Sequence, residues 1–228
     1  MKNLFIASCF LIIVACSPTY YAANTLNTPM ISEKGESSIT AAGKGGMYEL
    51  HGGYGITDNL AVIGSGSVYA PKSLENGNGG SGFLAEAGVG YFNEFQENIL
   101  FDVYGLLAFG SMNNQFPDNN EKISARAFRL VIQPGIGYMH KYFSASFNPR
   151  IAFLNFSGIN GNLTYEGVDQ VQYLTDNKNN FLLEPTITLR GGLEKIKLQL
   201  QYGYSLNMSN PDFKQDKNIL TIGLNFRL

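Results

Sequence analysis

Tryptophan is absent from the 228 residues, charged side chains make up only 15%, and there are just two cysteines and two histidines. Each shortage excludes something. A charge content well below the ~25% of an average soluble domain, with a net charge of −2, argues against a nucleic-acid partner and against a polybasic lipid-binding surface. Cys9 falls inside an apolar leader, which leaves Cys16 alone and rules out a disulfide framework. His51 and His140 lie too far apart in the strand pattern to share a metal, and no metal or cofactor is expected. After residue 15 no long apolar run occurs. A hydropathy plot would therefore read the chain as soluble, as it does for membrane barrels, whose strands alternate.

What the chain does have is 26 glycines, 29 tyrosines and phenylalanines, and an export signal. Lys2 precedes an apolar stretch from Leu4 to Ala15, the length of a secretory signal core and short of the ~20 residues of a spanning helix. It ends in Ile13-Val14-Ala15-Cys16, a lipobox. Residues 1–15 are read as a lipoprotein signal peptide, Cys16 as the lipidated residue, 16–35 as a lipidated tether and 36–228 as the barrel domain. Ordinary cleavage after Ala22-Ala23 is the alternative. Each buried acyl methylene would add roughly 0.8 kcal/mol of anchoring.

Period-2 alternation bounded by turn residues predicts ten strands: 36–42, 47–56, 60–69, 82–92, 98–110, 124–138, 142–155, 181–193, 196–207 and 218–228. After the first hairpin, short connections (57–59, 93–97, 139–141, 194–195) alternate with long polar ones (70–81, 111–123, 156–180, 208–217). The predicted fold is an all-β, closed, antiparallel up-and-down transmembrane barrel of about ten strands, with short periplasmic turns and long outer loops. An even count puts both termini, and the lipid anchor, on the periplasmic side. Pro134, Pro149 and Pro185 fall inside three consecutive strands, where proline removes a ladder bond, and suggest a bulged wall.

One face of each strand is apolar nearly throughout, as in Phe83, Ala85, Ala87, Val89 and Tyr91. The other carries Gly, Ser, Thr, Asn and Gln with sparse charges. Apolar-out in lipid fits better than apolar-in, because a soluble barrel would put many Lys and Glu outside. Aromatics near strand ends form two belts: Tyr54, Tyr91, Tyr138, Phe143 and Phe226 toward the short turns, Tyr69, Phe109, Phe128, Phe153 and Tyr204 toward the loops. The last strand sets Leu224, Phe226 and Leu228 on one face, an assembly-signal pattern. The predicted lumen holds Glu49, His51, Glu86, Asp102, Arg129, Arg150, Glu184, Arg190, Lys197 and Arg227. These four acids, five bases and one histidine are expected to pair across the interior, with glycines (Gly53, Gly88, Gly90, Gly135, Gly137, Gly203) leaving room for the arginines.

The lipobox, Glu33-Lys34-Gly35-Glu36, the hairpin Gly53-Tyr54-Gly55-Ile56-Thr57-Asp58-Asn59-Leu60-Ala61-Val62 and the closing strand together resemble small β-barrel lipoproteins of Bacteroidota outer membranes. The resemblance implies an outer-membrane location and insertion by the barrel-assembly machinery, and carries over no catalytic residue. Ser17-Pro18-Thr19-Tyr20-Tyr21 lacks the acidic residues that follow the lipidated cysteine in surface-exposed members, which implies an inward-facing anchor. Leu228, rather than an aromatic, ends the chain.

The function expected from these readings is a non-enzymatic barrel with a structural, accessory-subunit or loop-mediated binding role, partnered by the bilayer and by an envelope protein contacting loop 156–180. The alternatives are a ligand-binding or narrow-channel barrel, marked by an open shaft past Glu86 and Arg150, and an outer-membrane hydrolase, which requires His51 beside Glu49 or Glu86 in a cleft. A wide pore is excluded by size, since water-filled porins need ~16–18 strands. The Asn/Asp/Gly-rich loops at 75–80, 113–120 and 176–180 lack the spacing of a calcium loop.

Overall fold

The computed structural model describes residues 18–70, 80–116 and 120–228. The leader, Cys16, the stretch 75–79 and residues 117–119 lie outside the described residues.

Alternating sequences produce alternating burial. In β2 (Met47–Gly55) the pattern runs buried, exposed, buried without a break as far as Gly52, and β9 (Ile196–Tyr204) alternates without exception. The other barrel strands are β1 (Ser37–Lys44), β3 (Leu60–Tyr69), β4 (Ser81–Gln96), β5 (Ile99–Phe116), β6 (Glu121–Met139), β7 (Phe143–Gly161), β8 (Asn179–Gly192) and β10 (Asn218–Arg227). Each pairs antiparallel with the next, β8 pairs with β9, and β10 pairs with β1 through Ile222–Gly43 to Arg227–Ser38. The sheet closes on itself. The fold is the closed ten-strand transmembrane barrel expected from the alternation, and closure pairs its first and last strands instead of leaving them as edges.

The outward face is apolar. Leu50, Phe83, Val89, Leu107, Phe109, Ile132, Leu198, Leu200 and Ile222 are all exposed. Only a bilayer satisfies such a surface. Tyr54, Tyr91, Tyr138 and Phe143 stand exposed at the short-turn end, and Phe109, Phe153 and Tyr204 toward the loops. Tyr69 departs from the outer belt: its phase points inward, and its hydroxyl donates to the Ala22 carbonyl at 2.6 Å.

Strands β4 to β7 are 16 to 19 residues long, against the ~9–11 that cross a bilayer. Most of the expected loop 111–123 is therefore strand, paired from Ser111–Arg126 to Phe116–Glu121. The expected turn 93–97 is mostly strand as well, irregular between Glu94 and Gln96. The three prolines do not bulge the wall. Pro149 pairs with Pro185 in unbroken register. Between β6 and β7 the ladder stops after Ile132–Ile151 and resumes at Ile136–Phe147 with the register unchanged. Missing N–H donors interrupt the hydrogen bonds there and leave the strand path intact.

At the loop end, residues 162–178 fold into a hairpin (Thr164–Tyr165 with Val168–Asp169) and a helix, α1 (Gln170–Asp176). Asp169 caps α1, accepting from the Val171 and Gln172 N–H groups. Buried Leu163 and Leu174 turn inward over the mouth, where Phe213 lies 6.1 Å from Phe156 and 6.3 Å from Tyr20 between ring centroids.

The largest departure concerns the segment expected to be a tether. From Ala23 to Ile31 every residue is buried, although no helix or barrel strand includes them. The segment runs through the lumen. At the short-turn end it enters beside the carboxyl terminus, where the Ser37 N–H donates to the Leu228 carbonyl (2.9 Å) and Arg227 pairs with Glu36. At the loop end the Tyr20 N–H donates to the Lys214 carbonyl (2.9 Å), and Tyr21–Ala22 pair in parallel with Gln215–Asp216. The expectation that the amino-terminal residues lie on the periplasmic side is corrected: Pro18 to Ala22 lie among the long loops.

Candidate functional site

A backbone crossing a barrel interior brings N–H and C=O groups that need partners. The lumen wall supplies them almost residue by residue. Asn114 Nδ2 donates to the Thr19 carbonyl (3.0 Å), and Arg150 Nη2 to that of Asn24 (3.1 Å). Gln133 Nε2 donates to the Asn27 carbonyl (2.8 Å), and Arg190 Nη2 to that of Thr28 (2.6 Å). The Thr25 N–H donates to Glu49 (3.1 Å). Gln201 reads one peptide unit from both sides: its Oε1 accepts from the Leu26 N–H (2.7 Å) and its Nε2 donates to the Leu26 carbonyl (3.1 Å).

Asn24 is the centre of the arrangement. Its Nδ2 donates to Glu86 (2.5 Å), and its Oδ1 accepts from Arg129 (2.7 Å), while Arg129 also binds Glu86 at 2.5 Å. On the neighbouring strand β7, Arg150 binds Glu184 at 2.5 Å. The Tyr21 hydroxyl joins the two pairs, donating to Glu184 (2.9 Å) and accepting from Arg129. Charges of opposite sign in a low-dielectric interior hold each other only if their remaining hydrogen-bonding capacity is met. Here the amino-terminal segment meets it.

The structure brings together some of the ten predicted lumen residues and not others. Glu49, His51, Glu86, Asp102, Arg129, Arg150, Glu184, Arg190 and Lys197 are buried inside, and Arg227 is half-buried at the short-turn rim. Two cross-strand ion pairs form, Arg129–Glu86 and Arg150–Glu184. Arg227 pairs with Glu36, outside the predicted set. Asp102, Arg190 and Lys197 make no ion pair among the described residues. Arg190 is satisfied instead by Gln199 (2.8 Å) and Thr28.

The glycines do a different job from the one expected. A Cβ on Gly53 would stand 2.6 Å from the Pro29 ring, and one on Gly137 2.6 Å from the Met30 methyl. They clear space for the amino-terminal segment rather than for arginines. Gly90 clears space for Tyr104.

The shaft past Glu86 and Arg150 is closed by Asn24 and Tyr21. His51 Nε2 lies 3.6 Å from Glu49, beyond hydrogen-bond reach, and both groups are buried in the wall with Glu49 occupied by Thr25 and Ser67 (2.9 Å). No group of three or more His, Cys, Asp or Glu side chains placed to hold a metal occurs among the described residues. The segment's role was illegible in sequence. Asn24, Thr25, Asn27 and Thr28 read as tether polarity; the one available signal was the density of Gln and Asn on the inward phase, more donors and acceptors than a charge network needs.

The loop end keeps an open concavity of about 490 Å3, between Thr19–Ala22 on one side and Met47, Tyr69, Leu84, Asn114 and Phe156 on the other. Lys44 and Asp216, paired at 2.8 Å, stand at its rim. This volume lies in the range of small-molecule sites. Above the mouth, burial holds the Lys214 ammonium below the ordinary lysine value, and its charge rests over the rings of Tyr165 (4.7 Å) and Tyr173 (5.1 Å).

No family model matches the chain, and no curated protein matches it. The chain is similar to a "KdgM porin" (9% identity, 84% of this chain and 98% of that one, TM-score 0.37) and to LpxR from Salmonella typhimurium (8%, 85% and 99%, 0.37). Neither match concerns the Bacteroidota lipoproteins of the sequence resemblance. The expectation that this chain is not an enzyme is withdrawn; at 8% identity the likeness to LpxR concerns the fold alone and assigns no chemistry to these residues. What holds is the coarser statement: an outer-membrane barrel set in a lipid bilayer.

Proposed function

We propose that the chain is a lipid-anchored outer-membrane barrel, sealed against permeation by its own amino-terminal segment, that works at its outer mouth. The carrying observation is the filled lumen. Residues 23–31 are buried throughout and held by Glu49, Gln133, Arg150, Arg190 and Gln201. The accessible features then lie at the loop end: the hairpin and α1, with exposed Val168 and Met208, and the concavity beside Tyr20. A partner meeting loop 156–180 would dock there. Ligand binding is the second reading, favoured by the concavity.

Lipidation at Cys16 is supported by the fate of residues 18–22. Cleavage after Ala22-Ala23 would discard Tyr20 and Tyr21, whose hydroxyls bind Gln170 (2.7 Å) and Glu184 (2.9 Å). Cleavage before Cys16 keeps both. Insertion by the barrel-assembly machinery is the reading that outward Leu224 in β10 and exposed Leu228 just beyond it support.

Planar-bilayer recording tests the sealed lumen. Purified full-length protein is expected to insert without conductance steps. Stable ohmic channels from the intact chain would overturn it.

A further inference from the structure

We infer that the concavity at the loop end binds an uncharged small amphiphile, a molecule with an apolar body and a hydrogen-bond donor. The inference rests on the ligand-binding reading of that concavity and adds to it the chemical class of the ligand.

The wall changes character as it nears the loops. At mid-lumen the inward positions Glu86, Arg129, Gln133, Asn148 and Arg150 are polar and buried. One inward step nearer the loops, Glu86 on β4 gives way to Leu84 and Arg129 on β6 to Ala127. Met112 on β5 and Leu154 and Phe156 on β7 continue the change, and all five residues line the concavity. Phe213 covers part of this apolar ring beside Phe156. The part left open measures about 490 Å3, enough for a small organic molecule. Apolar surface facing water gains by being covered.

One buried atom specifies the polar end of the ligand. Tyr20, Tyr21 and Tyr69 also line the concavity, but their hydroxyls are occupied by Gln170, Glu184 and the Ala22 carbonyl. Asn114 differs. Its Nδ2 donates to the Thr19 carbonyl (3.0 Å), which fixes the orientation of the amide. Its Oδ1 is left without a partner, although the residue is only 1% exposed. Of the buried side chains with such an orphan atom among the described residues, Asn114 is the one that lines the concavity. An unmet buried acceptor is costly, and an O–H or N–H on the ligand answers it.

Charge decides against ionic ligands. Lys44 and Asp216 are the charged residues of the lining among the described residues. They hold each other at 2.8 Å, while the Lys44 ammonium also donates to the Asn218 carbonyl (2.7 Å) and Asp216 Oδ1 accepts from the Asn218 N–H (3.1 Å). A carboxylate or phosphate entering the apolar part would lose its hydration and find no free counter-charge.

Thiol protection tests the class with three probes of one shape. Indole is neutral and donates through its N–H, N-methylindole is neutral without a donor, and indoleacetate keeps the N–H and adds a charge. The full-length, heat-modifiable barrel carrying Ala127→Cys would be labelled with N-ethylmaleimide against increasing free concentrations of each probe. Ser81→Cys, also in the lining, replaces Ala127→Cys if that variant does not assemble, and exposed Val168→Cys is the control for reactivity. Indole is expected to protect the lining thiol at about tenfold lower concentration than N-methylindole, the worth of one hydrogen bond to a buried acceptor. Indoleacetate should leave it unprotected, and no probe should slow Val168→Cys. In Asn114→Leu the two neutral probes should converge. Equal protection by all three probes, or an indole preference that survives Asn114→Leu, would overturn the inferred class while leaving a ligand site. A lining thiol that reacts freely under every probe would overturn the ligand-binding reading itself.

Discussion

Arg129→Ala is expected to destabilise the barrel by about 3–5 kcal/mol, the cost of leaving one member of a buried ion pair without its partner. The guanidinium is fully buried and holds three groups at once: Glu86, Asn24 and the Tyr21 hydroxyl. Without it, Glu86 keeps only Asn24 and the weaker Ser65 contact at 3.3 Å, and the amino-terminal segment loses its central tie. Unfolding of the detergent-extracted protein, followed by the loss of heat-modifiable mobility against temperature or denaturant, reads the effect. The double variant Arg129→Met with Glu86→Leu separates causes. It removes both charges while filling the space, and such replacements of buried pairs are often close to neutral. It should therefore be more stable than Arg129→Ala alone. Equal losses in both would mean that the segment, and not the unpaired carboxylate, sets the cost.

Deleting residues 20–31, with Cys16 to Thr19 joined to Ser32, is expected to turn a silent barrel into a conducting one. Eight strands enclose an interior that side chains just fill, and this ten-strand wall has an additional peptide inside. Removing the peptide leaves Glu49, Gln133, Arg150, Arg190 and Gln201 with donors and acceptors that only water can satisfy. A polar, roomy cavity takes up water. Discrete conductance steps in planar bilayers, absent from the intact protein, are the expected result. Stability should fall together with sealing, by roughly 1 kcal/mol for each neutral hydrogen bond lost. A deletion variant that stays heat-modifiable but does not conduct would mean that the wall side chains close the lumen unaided.

The wall was legible in the sequence because each strand carries its own signal. Ile196 to Tyr204 alternates strictly and Phe83 to Tyr91 does so apart from Leu84, and the polar turns between strands are local too. Strand ends were harder. Beyond the bilayer, Ser111, Asn113 and Asn114 are polar on both faces of β5, so alternation fades while the ladder with β6 continues. The amino-terminal segment was not legible at all. Its stability resides in contacts such as Leu26 with Gln201 and Thr25 with Thr221, 175 and 196 residues apart. Nothing in the local pattern of Asn24-Thr25-Leu26-Asn27-Thr28-Pro29 distinguishes a buried peptide from a solvated linker. The lumen charges were found by phase alone, but which of them pair was set by what lies between them, and Asn24 was not in view.

A disulfide between Thr25→Cys and Thr221→Cys tests the central claim most directly. The two hydroxyls lie 3.2 Å apart, one on the amino-terminal segment and one on β10. If the segment fills the lumen, mild oxidation of the assembled protein should give a single peptide containing both positions, found by mass spectrometry and lost on reduction. If the two thiols instead remain free in the heat-modifiable barrel and both react with a small reagent, the segment lies elsewhere and the lumen is not sealed by it.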